Sequence, residues 1–366
     1  MERIVRAMTR RDFLKGLGRS LLIAGGTVLL KGHAGREAPL TGATERLADE
    51  SDWQPAYRRL EDQGRLAERV EEACRLLEQC ELCPRKCGVN RLRGGRGFCR
   101  APDQAVVFSH QPHFGEEVPL VGRQGSGTIF FSNCNLRCVF CQNWPIAHEG
   151  RGRTVTDEQL ADLMLDLQRI GCHNVNLVTP THVMPNILAA TRIALHKGLR
   201  IPLCYNTGGY ERPEIIGLLD GIVDIYLPDL KYMDGAEAAR YSAGAADYPP
   251  LAQRAIAEMH RQVGDLVTDR DGIALRGVMI RHLVMPNRIA GTEEFVSWVA
   301  ANLSRSTYVN IMAQYRVEHR AFEYPPIARA ITVEEFLEAM QWAEEAGLDN
   351  LDRRSVAQRE VFRRRL

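Results

Sequence analysis

The sequence carries almost no net charge and no apolar run long enough to cross a bilayer. Its 47 Lys and Arg balance 46 Asp and Glu to a formal charge of +1. That balance gives no ground for nucleic acid or an anionic surface as the main partner. Two basic clusters, RLRGGRGFCR and RRSVAQREVFRRRL, are short and interrupted. They read as a loop around a metal site and as a solvated tail over residues 351–366. The apolar stretch from Ser20 to Leu30 is too short and too rich in glycine to span a membrane as a mature helix, so no stable insertion of the mature chain is expected. Aromatics are few, at 7%, but 45% hydrophobic and 25% charged residues describe an ordinary globular protein. Its length suits one large α/β domain with a smaller appendage.

What the sequence does have is a leader and ten cysteines. Arg10-Arg11, then Phe13, Leu14 and Lys15 before the apolar stretch, resemble a twin-arginine export signal over residues 1–35, with Gly32-His33-Ala34 as a small-residue cleavage site. The expectation is a periplasmic protein, or a cytoplasmic one if the signal is not used. Residues 36–56 are polar, contain Pro39 and Pro55, and read as a linker. A segment over residues 57–105 opens with a helix expected from Tyr57 to Gln79, with Leu60, Leu66, Val70, Cys74 and Leu77 near one face. Cys80, Cys83, Cys87 and Cys99 follow at C-x2-C-x3-C-x11-C among Gly and Pro. That spacing describes a loop wrapped round a metal, either zinc or an auxiliary iron–sulfur cluster. Cys74, Cys172 and Cys204 lie on apolar faces or strands and read as small buried hydrophobes.

From Gly127 the chain repeats one unit of apolar strand, polar edge and amphipathic helix. The strand candidates are GTIFFS, NVNLVT, IPLCYN, IVDIYLP, GVMIRHLV and YVNIMA. Thr156 with Gln159, and Thr332 with Glu335, form capping boxes, and Gly171 and Gly347 end the same two helices. Pro213 sits where a first helical turn tolerates it. Strands apolar throughout that alternate with helices pair in parallel with both faces covered. Six units are too few for a full barrel, so the fold class is α/β, a partial (β/α)6 barrel of parallel strands over about residues 120–350.

In such a barrel the chemistry gathers where strands end and loops begin. Asn133 and Cys134, Thr179 to His182, Asn206 to Gly209, Asp229 and Lys231, Arg281 and His282, and Gln314 and Tyr315 occupy those positions on the six strands in turn. The first of these ends runs on as CNLRCVFC. Three thiolates from one tight loop can hold three irons of a [4Fe-4S] cluster and leave the fourth for a non-protein ligand. A zinc site that recruits a distant fourth ligand, or three incidental cysteines, are the other readings.

C-x3-C-x2-C with an aromatic before its last cysteine resembles the signature of radical S-adenosylmethionine (SAM) enzymes. CELCPRKCGVNRLRGGRGFC, NLVTPTHVMPNIL, YNTGGYE, GIVDIYLPDLKYMD, ARYSAGAADYP, RGVMIRHLVMPN and NIMAQYR together resemble a branch related to pyruvate formate-lyase activating enzymes, over about residues 75–350. The resemblance implies that Cys134, Cys138 and Cys141 hold the cluster and that SAM occupies the fourth iron. It implies that Phe140 meets the adenine, and that Asp229, Lys231 and His282 bind the ribose and carboxylate. Asn206 falls where the activating enzymes place an Asp. The usual Gly-Gly-Glu-Pro of the second strand end is replaced by Thr179-Pro180-Thr181-His182, so Thr179, Thr181 and His182 become the candidates for amino-group recognition through hydroxyls and backbone carbonyls. The implied reaction is one-electron cleavage of SAM to methionine and a 5'-deoxyadenosyl radical, which takes a hydrogen atom from a peptide, protein or small molecule, as the activating enzymes do from a glycine of a partner protein. The implied electron source is a low-potential donor of the flavodoxin or ferredoxin type. A non-catalytic or electron-transfer iron–sulfur protein is the other class that the missing Gly-Gly-Glu-Pro and the leader leave open.

Overall fold

A computed structural model describes residues 53–364 and the backbone of a two-residue strand at Glu45–Arg46. The leader and most of the linker lie outside the described residues. Six strands carry the fold: β1 (Ser126–Phe131), β2 (Val175–Val178), β3 (Leu203–Thr207), β4 (Ile225–Pro228), β5 (Ala274–Leu283) and β6 (Tyr308–Met312). They pair in chain order and all in parallel, as the run of apolar strands and helices implied. The helices between them begin and end where local chemistry dictates. In α1 (Asp157–Ile170) the side chains of Thr156 and Gln159 close a capping box, and Gly171 takes the left-handed conformation at φ 100°. The helix at Val333–Glu345 repeats the box with Thr332 and Glu335.

Each edge of this six-stranded run has its own cover. Beside β1 runs an antiparallel strand, Ala105–His113. Beside β6, Leu351 bridges to Val309, and the segment read as a solvated tail instead forms a helix, Arg353–Arg363. Asp352 caps that helix through the Arg354 and Ser355 amides, and the hydroxyl of Ser355 donates to the Ile311 carbonyl at 2.8 Å. Phe362 packs edge-on against Phe336. Burial against the free edge of β6 is what orders this basic segment.

Alternation along the strands sorts side chains between two faces. Cys204, Ile225, Leu227, Met279 and Tyr308 form a small core with Leu120 on the inner face. Tyr205, Tyr226, Val278 and Ile280 point the other way, into the large core beneath the helices. The expected helix over Tyr57–Gln79 is two, Ala56–Asp62 and Leu66–Arg75. Gly64, at φ 74°, donates its amide to the Glu61 carbonyl at 2.7 Å and ends the first. Glycine takes that conformation without steric cost, so the break lies in one residue that apolar periodicity does not register.

Candidate active site

The C-terminal ends of the strands open on a cavity of about 620 Å3. Strand parity decides what reaches it. On β5, Arg281 and Leu283 share the face of Met279 and line the cavity, and on β6 Asn310 shares the face of Tyr308. Beyond β4, Asp229 and Lys231 continue the inner face of Leu227. Lys231 Nζ donates to Asp229 Oδ2, and both side chains are about one-fifth exposed, to the cavity. Burial alone would lower the lysine's pKa, but the Asp229 carboxylate outweighs it, so the ammonium is held charged.

Cys134, Cys138 and Cys141 line the same cavity, in a loop that leaves β1 through Asn133 at φ 77° and turns again at Arg137, φ 51°. All three are free thiols. Burial pushes the Cys138 thiol up to about 11 against the pull of Lys231, and burial with the neighbouring Cys138 and Cys134 pushes Cys141 up to about 12. Repulsion from the neighbouring sulfurs adds to the rise at both Cys138 and Cys141. The sulfurs also face hydrogen-bond donors. The Ser242 hydroxyl donates to Cys138 Sγ at 3.1 Å, and the Leu136 amide to Cys134 Sγ at 3.4 Å. Thiols with donors aimed at their sulfurs fit an iron–sulfur cluster held on three corners. Among the described residues, no three His, Cys, Asp or Glu side chains converge as ligands of one metal ion.

Phe140 lines the cavity and packs on Tyr232 and Tyr315. Thr179 and Asn206 line it as well, joined by the Thr179 amide donating to the Asn206 carbonyl at 2.9 Å. Thr179 stands at φ 61°, an outlier for a β-branched residue. Gln314 is on the wall, whereas Tyr315 turns its hydroxyl to the Ile327 carbonyl.

Three expected SAM contacts do not reach the cavity wall. His282 lies on the face of β5 opposite Arg281 and is fully buried, stacked on Phe295 with ring centroids 4.1 Å apart. Nδ1 pairs with the Leu230 carbonyl at 2.7 Å and Nε2 with the Thr292 hydroxyl at 3.0 Å, so both ring nitrogens are engaged. Burial holds the imidazole neutral, down at about 4. His182 is buried with Nε2 on the Ser132 carbonyl at 2.7 Å, and Arg91 donates to its backbone oxygen. Thr181 donates to Glu211 at 2.6 Å, a carboxyl that burial pushes up to about 7 and that also accepts from Thr207. Thr181 and Glu211 therefore tie the second strand end to the third from behind.

Sequence reasoning missed the opposite wall. Glu116 and Glu117, from the loop after the Ala105–His113 strand, clasp Arg281, and Asn310 donates to Glu117 at 2.8 Å. Burial would raise the Glu116 carboxyl, but Arg281 and His113 pull it down to about 2. Arg354, Ser355, Gln358 and Phe362 of the C-terminal helix complete that side. Tyr248 is a second omission. Its hydroxyl sits 3.0 Å from the Gly208 carbonyl and 2.9 Å from that of Asp229, and accepts the Lys231 amide at 2.9 Å.

The N-terminal cysteines form a separate group away from the cavity wall. Burial, with Cys80 and Cys87 beside it, raises the Cys99 thiol, and burial with Cys99 nearby raises Cys83 to about 12. The Phe98 amide donates to Cys87 Sγ at 3.3 Å, and a Cβ at Gly97 would stand 2.7 Å from that sulfur. Cys80, Cys83, Cys87 and Cys99 thus share one segment, but among the described residues no three of them converge as ligands of one metal ion.

The parallel strands thus bring a three-thiol loop and a lysine–aspartate pair to one cavity. A family model described as the radical SAM superfamily matches residues 128–246. An uncharacterized protein of Methanocaldococcus jannaschii is 35% identical over 290 residues, which is 77% of this chain and 79% of that protein. Among solved structures, TYW1 with a lysine-pyruvate adduct bound is 12% identical with a TM-score of 0.38, over 60% of this chain and 73% of that one. Methylornithine synthase is 12% identical with a TM-score of 0.37, over 82% of each. Residues 128–246 thus carry a radical SAM superfamily domain, and that superfamily implies a [4Fe-4S] cluster, SAM and a reductant.

Proposed function

We propose that this protein cleaves SAM reductively at a cluster held by Cys134, Cys138 and Cys141 and takes a hydrogen atom from its substrate. The observation that carries the reading is the placement of those three thiols and the Asp229–Lys231 pair on one wall of one cavity. When bound, the cluster supplies one electron to the sulfonium of SAM. The chain's own residues bind and orient. Lys231, kept charged by Asp229, faces the carboxylate of the ligand, Phe140 offers a ring face to the adenine, and Thr179 and Asn206 contribute backbone and amide groups. The walled cavity limits water around the reacting atoms.

Within the superfamily we place the chain with the activating-enzyme-related branch, on motifs such as PDLKYMD and YNTGGYE, with a glycine of a partner protein as the candidate substrate and a flavodoxin- or ferredoxin-type donor. The C-x2-C-x3-C-x11-C spacing of Cys80, Cys83, Cys87 and Cys99 supports a second metal centre, zinc or iron–sulfur. Arg10-Arg11 and the residues after them support export. Among the described residues no helix is long and apolar enough to cross a membrane.

Anaerobically reconstituted protein treated with dithionite and SAM is expected to release 5'-deoxyadenosine. Bound iron without that product would turn the assignment to electron transfer. Iron, sulfide and zinc counts tell a second cluster from a zinc site. A reporter fused to residues 1–40 should reach the periplasm and stop doing so with Arg10→Lys plus Arg11→Lys.

A further inference from the structure

Arg85 belongs by sequence to the four-cysteine segment, between Cys83 and Cys87, yet its side chain works on the other cysteine motif. Its Nε donates to the Asn135 carbonyl at 3.0 Å, inside the Cys134–Cys141 loop. Nη1 donates to the Ala243 carbonyl at 3.0 Å and Nη2 to that of Ser242 at 3.2 Å. The hydroxyl of this same Ser242 donates to Cys138 Sγ at 3.1 Å. The guanidinium carbon lies 4.0 Å from the centre of the Phe98 ring, which fixes the fork from the four-cysteine side. Asn135 adds a return contact, since its side chain hydrogen-bonds toward the Cys83 thiol and donates to the Tyr210 carbonyl at 2.7 Å.

We propose that Arg85 is a positioning residue for the cluster loop, the clamp through which the four-cysteine segment holds the Cys134–Cys141 loop and the Ser242 hydroxyl in register. This rests on the reading that Cys134, Cys138 and Cys141 carry the cluster. The physical reason is the shape of the group. A planar fork meets three carbonyls on two segments at once, and an ammonium presents a point charge that cannot span them. Outer contacts of this kind orient metal-binding side chains, and removing one costs about 10-fold to 100-fold in metal affinity.

Arg212 supplies the control. It also joins the four-cysteine segment to the barrel, donating to the Glu81 carbonyl at 2.6 Å, and its side-chain hydrogen bonds and ion pairs go to Glu81 and Glu214 rather than to the cluster loop.

The test uses full-length, anaerobically reconstituted protein and reads the paramagnetic resonance signal of the reduced cluster that responds to SAM. Its decay is followed under a ferrous chelator for wild type, Arg85→Ala, Arg85→Lys and Arg212→Ala, each first shown to melt cooperatively. We expect Arg85→Ala to lose the signal about 10-fold faster, Arg85→Lys to recover little of it, and Arg212→Ala to follow the wild type. Wild-type decay in Arg85→Ala overturns the positioning role alone. Equal acceleration in Arg212→Ala overturns it too, because general loosening of the segment would then account for the effect. A wild type with no SAM-responsive signal overturns the cluster reading and the proposal with it.

Discussion

Arg281 and Glu117 meet as a fork on the cavity wall, Nε to Oε1 and Nη2 to Oε2, both at 2.6 Å, with Glu117 only 2% exposed. Glu116 adds a second carboxylate to the same guanidinium. Replacing Arg281 with Ala would leave Glu116 with only His113 and Glu117 with only Asn310 as partners, and breaking such a buried pair costs about 3–5 kcal/mol. Chemical denaturation should show that loss, and Arg281→Lys should recover only part of it because an ammonium cannot reproduce the fork. A midpoint unchanged in Arg281→Ala would contradict the arrangement.

In the proposed function Lys231 binds the carboxylate of SAM. Lys231→Met should weaken SAM binding by about 10-fold to 100-fold, the loss of one hydrogen bond to a charged group worth about 1.5–3 kcal/mol. Equilibrium binding to the reconstituted protein measures it. Unaltered affinity would remove Lys231 from the ligand set.

Gly209 stands at φ 82°, where a Cβ would lie 2.1 Å from the Asp229 carbonyl oxygen. Gly209→Ala combines a left-handed alanine with a forced shift of the strand end that carries Asp229, a cost of about 2–4 kcal/mol. The variant should lose both stability and SAM affinity. Stability lost with affinity intact would show that Asp229 does not need its present place.

Glu211 gives a pH signature. Its folded carboxyl is raised from 4.5 to about 7, mainly by burial. Between those values the folded state holds a proton that the unfolded state has lost, so the stability tied to this proton is complete below about 4.5 and is lost as pH rises through about 7. His182 and His282, lowered to about 4, act oppositely, with stability complete above 6.5 and lost as pH falls through about 4. Glu211→Gln should therefore gain on the wild type as pH climbs from 5 to 8, with Gln able to accept from Thr181 and Thr207. A stability difference that stays flat over that range would refute the buried, protonated carboxyl.

Much of the fold is legible in the sequence because its determinants are local. Thr156 and Thr332 cap their helices through residues three positions away, and each barrel strand is a short, mostly apolar segment between helices. The cysteine loop and the Asp229–Lys231 pair are legible for the same reason, since alternation from Leu227 places both on the inner face. That rule, applied to Arg281 and His282, also shows that the two cannot share the cavity, and the histidine is the one turned into the core. Glu116 and Glu117 were not legible, because they reach Arg281 across 165 and 164 residues of chain, and charge alone does not mark them. The C-terminal helix was hidden likewise, since its order comes from packing on β6 and Phe336 rather than from its own basic sequence.

The most direct test of the account is the paramagnetic resonance spectrum of the dithionite-reduced protein before and after SAM is added, in the wild type, Cys138→Ala and Cys80→Ala. The account predicts a signal that SAM shifts in the wild type and in Cys80→Ala, and none of that kind in Cys138→Ala. A SAM-responsive signal that survives in Cys138→Ala would contradict it.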